Sequence, residues 1–278
     1  MKKILEVKHL KVSANPSGKI LVNDVSFDLY PGRTTCIVGE SGSGKSLTAL
    51  SIMKLLSSQL KQSGDIFFEA QNISNLSNTS MRNYRGKSMA MIFQEPMTSL
   101  NPVLTIGDQI KEALTAHLNL DIQTLNNKVI SLLKEVGIAS QRALNYPDEL
   151  SGGERQRIMI AMSISCEPFI LIADEPTTAL DVTVQAQILK LLKNLKIKRN
   201  MAMLFITHDF GVVEEIADDV IVMYQGQIVE KGKASQVLKK PKHFYTKALL
   251  QCVPDARGIK KLKPIQHQYL DLNQQVGI

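Results

Sequence analysis

The sequence predicts an α/β fold: a parallel-stranded phosphate-loop core, an antiparallel β portion and an inserted helical subdomain. Three observations predict it. The β-branched run Thr34-Thr35-Cys36-Ile37-Val38 leads into Gly39-Glu40-Ser41-Gly42-Ser43-Gly44-Lys45-Ser46, and helical apolar spacing follows to Met53. A continuous apolar run, Phe169-Ile170-Leu171-Ile172-Ala173, ends in two carboxylates, Asp174 and Glu175. Between these segments, Ile106 to Leu118 and Leu125 to Val136 carry apolar residues at helical period.

Taken in order, residues 1–95 are expected to hold the antiparallel β portion and the first half of the core. Ile4 to Val12 and Ile20 to Phe27 read as strands, and Asn15-Pro16-Ser17-Gly18 turns between them. Gly64-Asp65-Ile66-Phe67-Phe68 is expected to begin another strand. Residues 96–158 change to helical character, and the core resumes over 159–232. In that second half, Phe169–Ala173 reads as a central parallel strand, because strands buried on both faces are continuously apolar. Ile221 to Val229 reads as a hairpin with Gln225-Gly226 at its turn. A C-terminal extension is expected over 233–278.

The chemistry follows from the strand ends, where open α/β sheets place their ligands. Strand, glycine-rich turn and helix is the context that gives a G-x-x-x-x-G-K-[ST] match its meaning. Glycines let backbone N–H groups turn inward around a phosphate, and the helix N-terminus adds partial positive charge. Gly39, Glu40, Ser41, Gly42, Ser43, Gly44, Lys45, Ser46 and Leu47 are therefore the candidate ATP-phosphate cradle. Lys45 is expected to reach the β- and γ-phosphates and Ser46 to ligate Mg²⁺. Asp174 is expected to hold Mg²⁺ through water, and Glu175 to polarise the attacking water. Standing alone, the two carboxylates would read as caps of the next helix. Leu204-Phe205-Ile206-Thr207 ends in His208, placed to meet the γ-phosphate and the attacking water. Met91-Ile92-Phe93 ends in Gln94, whose amide suits the Mg²⁺ shell and would sense a γ-phosphate.

A second glycine turn, Leu150-Ser151-Gly152-Gly153-Glu154-Arg155-Gln156-Arg157, lies far downstream of the first. With the motifs above, it makes the chain resemble the nucleotide-binding domain of an ABC transporter over nearly its whole length. The resemblance implies a P-loop ABC ATPase core and assigns Ser151, Gly152 and Gly153 to the γ-phosphate of ATP held by a partner subunit. It implies a D-loop around Ala179-Leu180-Asp181, with Glu175 and His208 catalytic. Phe93-Gln94-Glu95-Pro96-Met97-Thr98-Ser99-Leu100-Asn101-Pro102 resembles the dipeptide, oligopeptide and nickel importers, as does Pro241-Lys242-His243-Phe244-Tyr245-Thr246-Lys247-Ala248-Leu249-Leu250. Met97 and Thr98 resemble the first of the two ATPase paralogues that such importers carry. The implied partners are a second, non-identical ABC ATPase, two membrane permeases and, indirectly, an extracytoplasmic solute-binding protein. The implied place is the cytoplasmic face of the inner membrane.

Two departures stand out. The family's adenine-stacking aromatic near the end of the first strand is replaced by Val12-Ser13-Ala14-Asn15, and Tyr30 is no obvious substitute. Aromatic–base stacking contributes roughly 1–3 kcal/mol in nucleic-acid-binding proteins, so weaker or less base-selective binding is expected by analogy. Many peptide-importer ATPases also carry a C-terminal cysteine cluster; here the tail has only Cys252, and no iron–sulfur centre is expected.

Composition is consistent with a sizeable core: 278 residues, 44% hydrophobic. No apolar run approaches the roughly 18 residues of a membrane span, and Met1-Lys2-Lys3-Ile4-Leu5-Glu6-Val7-Lys8 lacks a signal-peptide core, so any channel is expected to be another polypeptide. Cys36, Cys166 and Cys252 lack metal-ligand spacing, and Cys36 reads as a small core residue. The formal charge is +7, with local clusters at Lys196-Ile197-Lys198-Arg199 and Lys260-Lys261-Leu262-Lys263. Neither accompanies a nucleic-acid motif, so a solvated basic surface is expected and no nucleic-acid partner. The competing function, a soluble ABC-type ATPase acting on nucleic acid or ribosomes, typically has paired cassettes or a long coiled coil; this sequence has one phosphate loop and no extended heptad run.

Overall fold

Side chains alternate across a β-strand, so an apolar strand buried on both faces must serve two cores. The computed structural model describes residues 2–94, 99–178 and 180–251, and its larger sheet divides its side chains in this way. That sheet has the order β10 (Gln227–Lys233), β9 (Asp219–Tyr224), β3 (Thr34–Val38), β8 (Ala202–Thr207), β7 (Ile170–Asp174), β6 (Met89–Ile92). All neighbours from β9 to β6 run parallel, and β10 closes the edge antiparallel to β9. In β8, Met203 and Phe205 join one core, while Ala202, Leu204 and Ile206 join the other. In β7, Leu171 and Ala173 separate from Ile170 and Ile172 in the same way.

The first core packs that sheet against helices. These include α3 (Ile106–Thr115), α4 (Ile122–Glu135), α5 (Gly152–Ile164), α6 (Val182–Arg199) and α7 (Phe210–Ile216). The second core packs the opposite face against α1 (Lys45–Ile52) and a four-stranded antiparallel sheet. The order of that sheet is β2 (Ile20–Leu29), β1 (Leu5–Ala14), β4 (Leu60–Phe68), β5 (Gln71–Asn72). The short α2 (Asn78–Met81) contributes Met81 to the same core. Two further helices, α8 (Ala234–Lys239) and α9 (Phe244–Gln251), follow β10.

Several sequence expectations shift. β4 starts at Leu60, not Gly64, pairing Leu60 with Ala14 and Ser63 with Lys11 before a register shift. Lys61, Gln62 and Ser63 offer no apolar alternation, so their part of the strand left no periodic signal. α4 starts at Ile122, capped by the Asp121 carboxylate accepting from Thr124 N–H at 2.9 Å. Its first turn is exposed, and the apolar stripe begins only at Leu125. α5 runs unbroken from Gly152 to Ile164, so the expected change at 158/159 falls inside a helix. The basic run in α6 is solvated only in part, with Ile197 and Lys198 exposed. Lys196 is buried and pairs with Asp218 at 2.9 Å, while Lys198 and Arg199 both reach Glu135. Cys36 is fully buried in the first core, and burial pushes its thiol pKa well up. Glu95 to Thr98, Ala179, Cys252 and Lys260 to Lys263 lie outside the described residues.

Phe205 is fully buried at the centre of the parallel sheet. Phe205→Ala is expected to lower the unfolding free energy by about 3–5 kcal/mol. A urea midpoint that falls accordingly, at unchanged slope, is the measurement that checks this.

Candidate functional site

Each candidate residue at the sheet edge sits just past, or at, the C-terminal end of a parallel strand. β3 delivers the phosphate loop, β7 delivers Asp174 and Glu175, β8 delivers His208, and β6 leads through Phe93 to Gln94. The hydrogen bonds among them form two linked groups.

The first group centres on Lys45. Its ammonium donates to the carbonyls of Gly39 at 2.9 Å and Glu40 at 2.8 Å, closing the loop on itself. Lys45 is buried, and burial lowers its pKa against the opposing pull of Glu175, Asp174 and Glu40. An ammonium so placed is taken out of water and held by neutral carbonyls, which an anion can outcompete. Ser46, beside it, donates from its hydroxyl to Asp174 Oδ1 at 3.1 Å. Asp174 has its pKa raised, chiefly by burial, with Glu175 adding to the rise and the Ser46 bond and Lys45 opposing it.

The second group centres on Glu175. Its Oε2 accepts from Gln94 Nε2 at 3.3 Å and from the Thr178 hydroxyl at 3.0 Å. Its Oε1 lies 3.2 Å from His208 Nδ1. The backbone of Glu175 adopts φ 47°, left-handed and costly for a residue with a Cβ. Its N–H is nevertheless held by the Ile206 carbonyl at 3.0 Å, which fixes the turn. The two carboxylates do not cap the following helix: Asp181 caps α6, accepting from Val184 N–H at 2.9 Å.

The loop fits a phosphate. Gly39 has φ 155°, and a Cβ there would stand 2.2 Å from the Met223 carbonyl oxygen. Ser43 Oγ is buried with no hydrogen-bond partner among the described residues, although such groups are rarely left unpaired. Ser41 and Gly42 are exposed at the loop's outer rim, and Gly44 is the N-terminal flank of α1. Leu47 is half-buried against the second core, so what it can offer a ligand is its backbone.

The second glycine turn is built on different supports. Ser151 caps α5, its hydroxyl oxygen accepting from Glu154 N–H at 3.3 Å while Glu154 Oε2 accepts from Ser151 N–H at 3.0 Å. The same carboxylate lies 2.9 Å from the Ser151 hydroxyl, so that hydroxyl already has a partner. The Ser151 bonds, with Arg142 3.1 Å away, hold the Glu154 pKa below the usual carboxylate range. Gly152 is exposed, while Gly153 faces α6: a Cβ on it would stand 2.8 Å from Val184 Cγ1.

Two residues that reach these groups carried no sequence signal of a place at the site. Thr178 bonds Glu175 from the turn that follows it. Tyr245 comes from α9, and its hydroxyl oxygen accepts from Glu40 N–H at 3.1 Å. Tyr30 lies elsewhere, in a groove lined by Arg33 and Asp219, with its hydroxyl donating to Asp28 Oδ2 at 3.4 Å.

The ABC transporter family matches residues 22–178, and the oligopeptide/dipeptide transporter C-terminal region matches 229–276. The dipeptide transport ATP-binding protein DppD of Bacillus subtilis (strain 168) is 49% identical over 98% of this chain and 83% of its own length. The glutathione import ATP-binding protein GsiA of Escherichia coli (strain K12) is 50% identical over 87% of this chain, a match that spans only 40% of that protein. Among solved structures, cbiO1 of Clostridium perfringens, part of the ABC transporter complex cbiONQ, matches with a TM-score of 0.76 and 26% identity over 86% of this chain and 92% of its own. The dimeric ATP-binding cassette MJ0796, bound to ADP and Pi, shares the fold at a TM-score of 0.73 and 24% identity, covering 83% of this chain and 98% of that one. By that family match and by its identity to a relative over almost all of its own length, the chain belongs to the ATP-binding, ATP-hydrolysing subunits of ABC transporters.

Proposed function

We propose that the chain is one motor subunit of an importer for peptides or for nickel and other metal chelates. The observation that carries the reading is the meeting of Gln94, Thr178 and His208 on Glu175, beside the Lys45–Ser46–Asp174 group. In this reading the backbone N–H groups of Gly39 to Leu47 cradle the ATP phosphates, and Lys45 leaves the loop carbonyls for the β- and γ-phosphates. Ser46, Asp174 and Gln94 are the candidate Mg²⁺ holders. Mg²⁺, when bound, neutralises charge on the phosphate oxygens. Glu175 takes the proton of the attacking water on a carboxylate oxygen, and His208 orients water and γ-phosphate.

Ser151, Gly152 and Gly153 act on nucleotide held by the partner ATPase. Backbone N–H groups at the start of α5 suit a γ-phosphate, and the Ser151 hydroxyl must turn from Glu154 to join them. ATP then favours the closed dimer because it contacts more of it. The dimer partner is a related, non-identical ATPase, seated with this chain beneath two permeases at the cytoplasmic face of the inner membrane. A solute-binding protein outside the membrane delivers the cargo. Among the described residues no helix is long and apolar enough to cross a membrane, so the channel falls to the permeases. The dipeptide transport and glutathione import roles of the relatives support this reading over an ATPase acting on nucleic acid or ribosomes.

Glu175→Gln is expected to lower ATP turnover of the assembled transporter by about 10²–10⁴-fold, since the amide is no useful base. Equilibrium binding should persist, and undiminished turnover would remove Glu175 from the catalytic role. Lys45→Ala is expected to weaken ATP binding to the isolated chain by about 10–100-fold, the worth of a hydrogen bond to a charged group. Ser151→Arg should leave that binding within about twofold, on the same scale. Equal losses in a titration of both variants would contradict action in trans.

A further inference from the structure

The C-terminal extension reaches the phosphate loop through a hydrogen bond from Glu40 to Tyr245. Tyr245 is fully buried on α9, its ring 4.3 Å from that of Tyr224. Its hydroxyl oxygen accepts the Glu40 N–H at 3.1 Å, across 205 residues of sequence. The carbonyl of that same Glu40 accepts from Lys45 Nζ at 2.8 Å. One residue of the loop is thus pinned on its N–H side by the extension and on its carbonyl side by the lysine.

The approach of Tyr245 is itself fixed. Glu230 on β10 accepts from the backbone N–H groups of Lys242 at 2.8 Å and His243 at 2.9 Å. His243 Nδ1 in turn accepts from Tyr245 N–H at 3.2 Å. Burial pushes the Tyr245 phenol pKa up, so the hydroxyl stays neutral. Packing alone would be met by phenylalanine. The hydroxyl adds a bond to the loop that phenylalanine could not make.

We propose that Tyr245 is a positioning residue of the phosphate loop: it fixes the Glu40 peptide, and through it the carbonyl that holds Lys45 ready for nucleotide. The inference rests on the reading of Gly39 to Leu47 as the ATP cradle. It makes the C-terminal extension part of the nucleotide site, so displacement of α9 would change the affinity for ATP.

The test compares two full-length variants. Tyr245→Phe and Thr246→Val each remove one hydroxyl from fully buried, adjacent positions of α9, and only the first of those hydroxyls bonds the loop. Hydrogen exchange at the Glu40 amide and ATP dissociation constants are measured on both. Tyr245→Phe is expected to speed Glu40 exchange and raise the ATP dissociation constant about three- to tenfold, the scale of one neutral hydrogen bond. Thr246→Val, whose hydroxyl faces Glu230 and not the loop, is expected to shift both clearly less than Tyr245→Phe does. An unaltered Glu40 exchange or ATP constant in Tyr245→Phe, or equal changes in both variants, would overturn the inference. Failure of the unsubstituted chain to bind ATP would instead overturn the cradle reading itself.

Discussion

Parallel register is the constraint on which the rest of the site depends. Val38 pairs with Thr207, Asp174 with Ile206, and Ala173 with Ile92. The residues that follow those pairs are Gly39, His208, Glu175 and, after Phe93, Gln94. A slip of one residue in any strand would turn its apolar side chains to the wrong core and carry its polar tip out of line. The double core therefore does more than stabilise the fold. By fixing which residues of β7 and β8 face α1 and which face the helical layer, it sets where the carboxylates and the histidine emerge.

At that edge, strain and burial are concentrated on few atoms. Glu175 holds a left-handed backbone and collects three side-chain partners. Lys45 and Asp174 are buried charges a short distance from open solvent, with opposite pKa displacements of the same principal cause. Lys45 offers its charge to an anion, and Asp174 offers the opposite charge to a cation that accompanies one. The second glycine turn has no such buried charge. It offers a helix start, closely packed on α6 through Gly153, and a hydroxyl lent to Glu154. The two turns are thus chemically different halves, and the proposed dimer is what brings unlike halves together.

Much of this was legible in the sequence, for physical reasons that can be named. Thr34–Val38 and Phe169–Ala173 are apolar on both faces, which only buried strands require, and each runs into glycines or carboxylates that a core would not tolerate. The strand, glycine turn and helix over residues 34–52 were readable from apolar runs and glycine spacing alone. Legibility failed where the signal was polar or distant. Lys61 to Ser63 pair as a strand without apolar alternation. Lys196 looks like surface charge in sequence but is buried beside Asp218, a partner 22 residues away. Thr178 is an ordinary turn residue until Glu175 turns back toward it. Tyr245 read only as part of a tail motif, because nothing local to it reveals that Glu40 is its neighbour.

The central claim is that this chain holds ATP with its own loop and completes the partner's site with its second glycine turn. The most direct measurement traps a photoreactive ATP analogue in the assembled membrane complex and identifies which ATPase becomes labelled. With Ser151→Arg in this chain, labelling is predicted to persist on this chain and to be lost from the partner ATPase. Loss from this chain with retention on the partner would contradict the account.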